Sequence, residues 1–233
     1  MGLSNYLPNS RLNQPGVCTS STRPASPYEG QVIYQTDDDR VLVWDNSAWV
    51  DPSTGKTERS GLVKMIPTSA TNGTVSSTGD VSITGGSTQV RIINCFSSQY
   101  QNYKVVYNLL TSAGQQAFIR FIDASNNEAS SNYGLAGFYQ SGNTTLNGAW
   151  STTGGNFEFG YLSSGTAVSS GEITILNPFN TQRTAYSSMA QNAGVSVFYF
   201  GTHTTDDSYP SLRMYLNTGS FSTGSNVRIY GYN

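Results

Sequence analysis

The sequence predicts a mostly β chain: an extended N-terminal arm and a small β-hairpin module, followed by an antiparallel β-sandwich of the jelly-roll kind. Three observations predict it. Charged residues are only 11% of the 233 positions, against about 25% in a typical soluble domain. Ser, Thr, Asn, Gln and Gly fill the gap, and with 15 Tyr and 10 Phe they suit short strands and frequent turns. About ten short strand-like runs follow Leu62, and no helix-period segment of three turns lies among them.

Residues 1–29 contain Pro8, Pro15, Pro24 and Pro27. Each proline fixes φ and removes a donor, so the stretch reads as an extended arm and not as a strand or helix. It carries Arg11 and Arg23 with no acid before Glu29, which makes it mildly cationic. Alone it has too little apolar surface to order itself, so it is expected to order only on a partner. Residues 30–50 read as a hairpin module, with a polar turn at Asp37-Asp38-Asp39 and a second turn at Asn46-Ser47. So small a ribbon is marginal alone, so Trp44 and Trp49 are expected to pack on a partner or a symmetry mate. Residues 51–61, DPSTGKTERSG, form a polar linker.

The sandwich is assigned to residues 62–233. Its clearest runs are Asp80–Thr84, Gln89–Phe96, Asn102–Leu109, Ala117–Asp123 and Asn156–Leu162, then Glu172–Leu176, Thr184–Met189, Val195–Phe200, Ser211–Leu216 and Asn226–Tyr232. Both faces of Phe118–Ile122 are largely apolar, which predicts a strand covered on both sides. Glu172–Ile175 alternates cleanly, which predicts one wet face. No fixed-period repeat is visible, so a β-helix or propeller is disfavoured.

Composition also excludes function classes. A formal net charge of −2 provides no basic field for a phosphate backbone, so nucleic-acid binding is not expected. MGLSNYLPNS has no basic segment followed by an apolar run, and no stretch approaches the roughly 18 apolar residues of a membrane helix, so neither secretion nor membrane insertion is expected. Tyr6 stands where myristoylation requires Ser or Thr. Cys18 and Cys95 read as two free thiols, with a disulfide left open.

The stock of catalytic groups is small. His203 is the one histidine, in GTHTTDDSYP beside Asp206, Asp207 and Ser208. No Gly-x-Ser-x-Gly elbow accompanies it, and it reads as an exposed loop residue. One His and two distant Cys are too few for zinc, and the Asp37–Asp39 run lacks the spacing and closing Glu of an EF-hand loop. Asp123, Glu128, Glu158 and Glu172 lie on separate runs and read as solvated strand-edge carboxylates, not the facing pair that glycoside hydrolysis needs. No phosphate-binding glycine loop is present. No catalytic residue, cofactor or metal is therefore assigned. Tyr133, Phe138, Tyr139, Trp150 and Tyr161 bracket the polar QSGNTTLNGAW and read as loop aromatics. Such rings stack on sugars while amides bind hydroxyls, which marks Tyr139 and Trp150 as candidate glycan contacts, although core packing would explain most of these rings equally well.

Two sets of phrases carry a family resemblance. Arg23-Pro24 runs through Gly30, Ile33-Tyr34 and Thr36-Asp37 into the VWDNSAWV hairpin at 43–50. This resembles the N-terminal segments of structural proteins from marine tailed bacteriophages, including cyanophages. FSSQYQNYKVV (96–106), SSGEITILNPF (169–179) and FSTGSNVRIYGYN (221–233) resemble a C-terminal β-domain of phage fibre-like and particle-surface proteins. The resemblance implies a non-enzymatic virion protein on the particle surface, assembled in the host cytoplasm, with other virion proteins as partners and a homotrimer as the expected oligomer. Arg11, Arg23, Trp44 and Trp49 are its candidate anchoring and oligomerisation residues. Two roles fit: a short tail fibre or receptor-binding appendage touching a host surface glycan, or a capsid decoration protein.

Overall fold

The computed structural model describes the chain except residues 1–15, 53–60, 142–144, 166 and 193; for 141, 145, 146, 149–153 and 192 it describes the backbone only. The chain divides into two compact units, Met1–Gly61 and Leu62–Asn233, and the break falls at the end of the expected linker.

The first unit is a four-stranded sheet in the order β1-β2-β3-β4 (Gly16–Cys18, Val32–Gln35, Arg40–Trp44, Trp49–Val50). Alternation places Ile33, Leu42 and Trp49 on its buried side, with Cys18 and Trp44 packed against them. Asp39 and Asn46 take positive φ at the two turns, a conformation that short polar side chains tolerate. The expectation of an arm without strand structure is corrected here. Gly16–Cys18 runs parallel to Ile33–Gln35, and Ser20 donates from N and Oγ to the Asp37 carboxylate. Arg23 Nε donates to Oε1 of the fully buried Gln35 at 2.8 Å. Ordering of 16–29 thus uses the hairpin of the same chain, because its turn carboxylates and Gln35 offer the acceptors that a proline-broken segment needs. Residues 1–15, Arg11 among them, lie outside the described residues.

The second unit is a two-sheet sandwich. Its strands are β5 Val63–Lys64, β6 Ser69–Thr71, β7 Gly73–Val75, β8 Val81–Ile83, β9 Gln89–Ile93, β10 Asn102–Leu109, β11 Gln115–Ile122 and β12 Tyr133–Ser141. They continue with β13 Thr145–Gly154, β14 Phe157–Leu162, β15 Ser169–Leu176, β16 Thr184–Asn192, β17 Val195–His203, β18 Ser211–Leu216 and β19 Asn226–Tyr232. One sheet has the order β13-β12-β17-β16-β15-β10-β19-β8-β7, with β5 also on β19; the other is β14-β11-β18-β9-β6. The winding is a jelly roll: the antiparallel pairs β8·β19, β9·β18, β10·β15 and β11·β14 nest one inside the next and alternate between the two sheets. Two hairpins, β12–β13 and β16–β17, are inserted into this winding and widen the first sheet beyond β15.

Alternation sends Tyr103, Val105, Tyr107 and Leu109 of β10 and Val227 and Ile229 of β19 into the core between the sheets. Buried tyrosines need partners for their hydroxyls. Tyr103 donates to Ser97 O at 2.7 Å, and the Tyr133 hydroxyl accepts from Phe121 N at 2.8 Å. Lys64 and Arg228 both grip Asp80, at 2.7 and 2.6 Å, and tie the first strand of the unit to the last. Cys18 and Cys95 are free thiols, and burial pushes the Cys95 pKa up.

Two expectations are corrected. β11 is not covered on both sides: Ile119 and Phe121 enter the core, while Phe118 and Arg120 are half-buried on the outer face and meet Tyr215. Tyr133–Ser141 and Thr145–Gly154 are not loop segments but the paired strands β12 and β13, whose glycines break the alternation that betrays a strand. Trp44 and Trp49 pack on each other within one chain, with ring centroids 5.5 Å apart at 60°.

Candidate functional site

The inserted hairpins create the cleft that concentrates chemistry. Strand β14 is an edge of the five-stranded sheet, and β12, β16 and β17 of the wider sheet reach over it. Where the overhang meets β14 and the start of β11, a cleft of about 590 Å³ opens. Tyr139 and Tyr199 line one wall; Tyr161, Glu158, Gln115 and Gln116 line the other.

The polar groups here are held in place. Glu158 sits between the buried Phe157 and Phe159. Its Oε1 accepts from the Tyr199 hydroxyl at 3.2 Å and its Oε2 from Gln116 Nε2 at 3.1 Å. Both donors are neutral, and burial outweighs their hydrogen bonds, so the carboxyl pKa is raised. Gln115 is 4% exposed; its Oε1 accepts from Thr218 N and Oγ1 at 2.9 and 3.0 Å, while its Nε2 is buried with no hydrogen-bond partner among the described residues. A buried amide with unspent donors is costly. Three tyrosine rings, the amide side chains of Gln115, Gln116 and Asn217 and one carboxylate form a set suited to a sugar ring.

The candidates from the sequence separate accordingly. Tyr139 lines this cleft, and Tyr161 joins it with 42% of its surface exposed. Tyr133 is wholly buried, and Phe138 lies on the opposite face of the sheet against Phe198. Trp150 is set opposite Ala136 by strand register, and its side chain lies outside the described residues. Glu158, Gln115 and Tyr199 were not singled out as a site. The Phe-Glu-Phe alternation at 157–159 does place Glu158 on the face away from the core, but its neighbours come from strands distant in sequence.

His203 is not an exposed loop residue. It is the last inward-facing residue of β17, 1% exposed, caged by Tyr133, Phe121 and Tyr209. Its Nε2 donates to Ser131 O at 3.0 Å, Nδ1 has no partner among the described residues, and burial lowers its pKa. Ser208 Oγ donates to Phe179 O, and Asp207 accepts from Tyr209, so the hydrogen bonds of this trio run elsewhere. Nor are Glu158 and Glu128 solvated: Glu128 is ringed by Arg213, Arg120 and Arg91. In the first unit the Asp37–Asp39 carboxylates accept from Ser20, Gln35 and Tyr34. Among the described residues no three His, Cys, Asp or Glu side chains gather into a group able to hold a metal ion.

No model of a known protein family matches this chain, and no curated protein is similar to it. The site is therefore read from its own chemistry.

Proposed function

We propose that this chain is a non-catalytic virion structural protein of a tailed bacteriophage, a short tail-fibre or receptor-binding appendage whose jelly-roll unit contacts a host surface glycan. The first unit is the anchor to other virion proteins, in a homotrimer. The observation that carries glycan contact is the cleft beside β14, where Tyr139, Tyr161 and Tyr199 share the lining with Gln116 and Glu158. Among the described residues its lining contains one carboxylate, Glu158, where glycoside hydrolysis uses a facing pair. The phage setting rests on the sequence phrases at 23–50, 96–106, 169–179 and 221–233.

The test is a glycan array with the intact protein, followed by host envelope polysaccharide. Tyr161→Ala and Tyr139→Ala are expected to weaken binding about tenfold each. Absence of binding to any glycan or to susceptible cells sinks this reading. Polysaccharide cleavage that disappears in His203→Ala overturns its non-catalytic part.

A second reading, capsid decoration, draws on the outer face of the wide sheet. Met189, Phe198 and Phe138 lie directly opposite one another across β16, β17 and β12, with Met189 57% and Phe138 45% exposed. An apolar row of this kind suits packing between repeated subunits. Copy number per particle decides between the two readings: hundreds mean decoration, a few dozen at most a tail appendage.

A further inference from the structure

The outer face of the five-stranded sheet carries an arrangement that the cleft does not use. Arg91 of β9 is directly opposite Arg213 of β18, and Arg213 is directly opposite Arg120 of β11. Three like charges in one cross-strand row are destabilising unless something neutralises them. Glu128 supplies one negative charge: its Oε2 lies 2.7 Å from Arg213 Nη1 and 3.5 Å from Arg120 Nη1, and its Oε1 is 3.9 Å from Arg91 Nε. Asp123 lines the adjoining hollow of about 350 Å³, but it already accepts from Asn127 N and Nδ2 at 2.8 and 3.1 Å.

The guanidinium donors are largely unspent. Arg91 Nη2 donates to Asn126 O at 3.1 Å and Arg120 Nε to Gly155 O at 2.8 Å. Arg91 Nε and Arg213 Nε are buried without a hydrogen-bond partner among the described residues. Beside the row, Tyr215 lies under Arg213 and Arg120, with 4.3 and 5.5 Å from guanidinium carbon to ring centroid, and Phe118 packs on Tyr215 at 5.4 Å. Arginine forks match planar and tetrahedral oxyanions in a bidentate manner, and the rings hold those forks in place.

From this geometry we infer that the Arg91–Arg213–Arg120 row is a binding site for the oxyanion groups of an acidic polysaccharide, carboxylate or sulfate ester, with Glu128 as the internal counter-ion that the ligand displaces. A structural staple alone needs one arginine for one glutamate. The row has three, while outside it the unit is acidic, with Lys64, Lys104, Arg183 and Arg228 against Asp80, Asp123, Glu158, Glu172, Asp206 and Asp207. This site is separate from the tyrosine cleft and does not rest on the reading given to it.

The experiment titrates the full-length protein at low salt with polygalacturonate, dextran sulfate, neutral dextran, inorganic sulfate and single-stranded DNA. At least one acidic polymer is expected to bind while dextran does not; which one binds tells carboxylate from sulfate. Arg91→Gln and Arg213→Gln are each expected to weaken binding about tenfold, and Lys104→Gln, which removes a basic residue of the other sheet, to leave it unchanged. Glu128→Gln is expected to tighten it severalfold, an effect that a purely structural role does not produce. Circular dichroism checks that each variant folds, and Arg91→Gln remains decisive where Arg213→Gln or Glu128→Gln does not fold. The proposal is overturned if neither acidic polymer outbinds dextran, if Arg91→Gln binds as the parent does, if free sulfate binds and no polymer does, or if DNA binds more tightly than both polymers.

Discussion

The hydroxyl of Tyr199 donates to Oε1 of Glu158 at 3.2 Å, and this bond joins the inserted hairpin β16–β17 to the edge strand of the opposite sheet. Gln116 holds the other carboxylate oxygen. The arrangement fixes the acid in the cleft wall at a cost: a carboxylate in a half-buried position with neutral donors is poorly compensated when ionised.

A pH dependence follows from Glu158. Its folded pKa lies above its unfolded value near 4.5, so the folded state binds more protons as pH climbs from 4.5 toward the raised value. The stabilisation is fully present below pH 4.5 and is lost as pH rises through the folded pKa. Glu158→Gln removes the charge and keeps the shape and one acceptor oxygen, for the Gln116 amide, while its NH2 donates to the Tyr199 hydroxyl oxygen. Thermal melts from pH 4 to 7 are expected to show the parent losing ground to Glu158→Gln as pH rises; parallel curves would contradict this.

His203 acts in the opposite sense. Its folded pKa is depressed below the ordinary 6.5 because the aromatic cage excludes water. Below pH 6.5 the unfolded chain takes up a proton that the folded chain resists, so stability falls as pH falls. In His203→Gln that slope is expected to flatten below pH 6.5. Comparing the two variants separates the slopes, since one removes the carboxyl contribution and the other the imidazole contribution.

Gly201 of β17 is opposite Leu135 of β12, at a position with no space for a side chain. A Cβ there would lie 1.9 Å from Gly134 O and 2.7 Å from the Tyr186 ring, and a backbone carbonyl in a paired strand cannot step aside. Gly201→Ala is expected to cost about 3 kcal/mol by denaturant unfolding, at the upper end for overpacking. A change under about 0.5 kcal/mol would mean that the inserted hairpin shifts freely.

Deleting residues 1–29 removes β1 and takes Arg23 from the buried Gln35. The transition of the Leu62–Asn233 unit is expected to remain in place, because the chain divides at Gly61. Emission from Trp44 and Trp49 is expected to shift to the red as their small core loosens, since a ribbon of this size is marginal. The proposed anchoring role adds that truncated protein is left out of assembled particles; normal copy number would show the arm to be a passive tail.

The sequence by itself determined many of the strands and, where alternation is clean, which side of each faces inward. Asn102–Leu109, Ser211–Leu216 and Asn226–Tyr232 have the bounds that alternation indicates, because period-two patterning is written in neighbouring residues. Only the tertiary structure decided the rest. β12 became a strand because β17 pairs along its length, whatever its glycines imply locally. Glu158 became a half-buried cleft residue because two hairpins inserted at different points in the chain meet over β14, and His203 entered the core because β17 runs three residues beyond its legible pattern. The arginines at 91, 120 and 213 are unremarkable one at a time; pairing register brings them into a row. Alternation is local and survives in one strand alone, whereas partner and register are set by packing between residues a hundred positions apart.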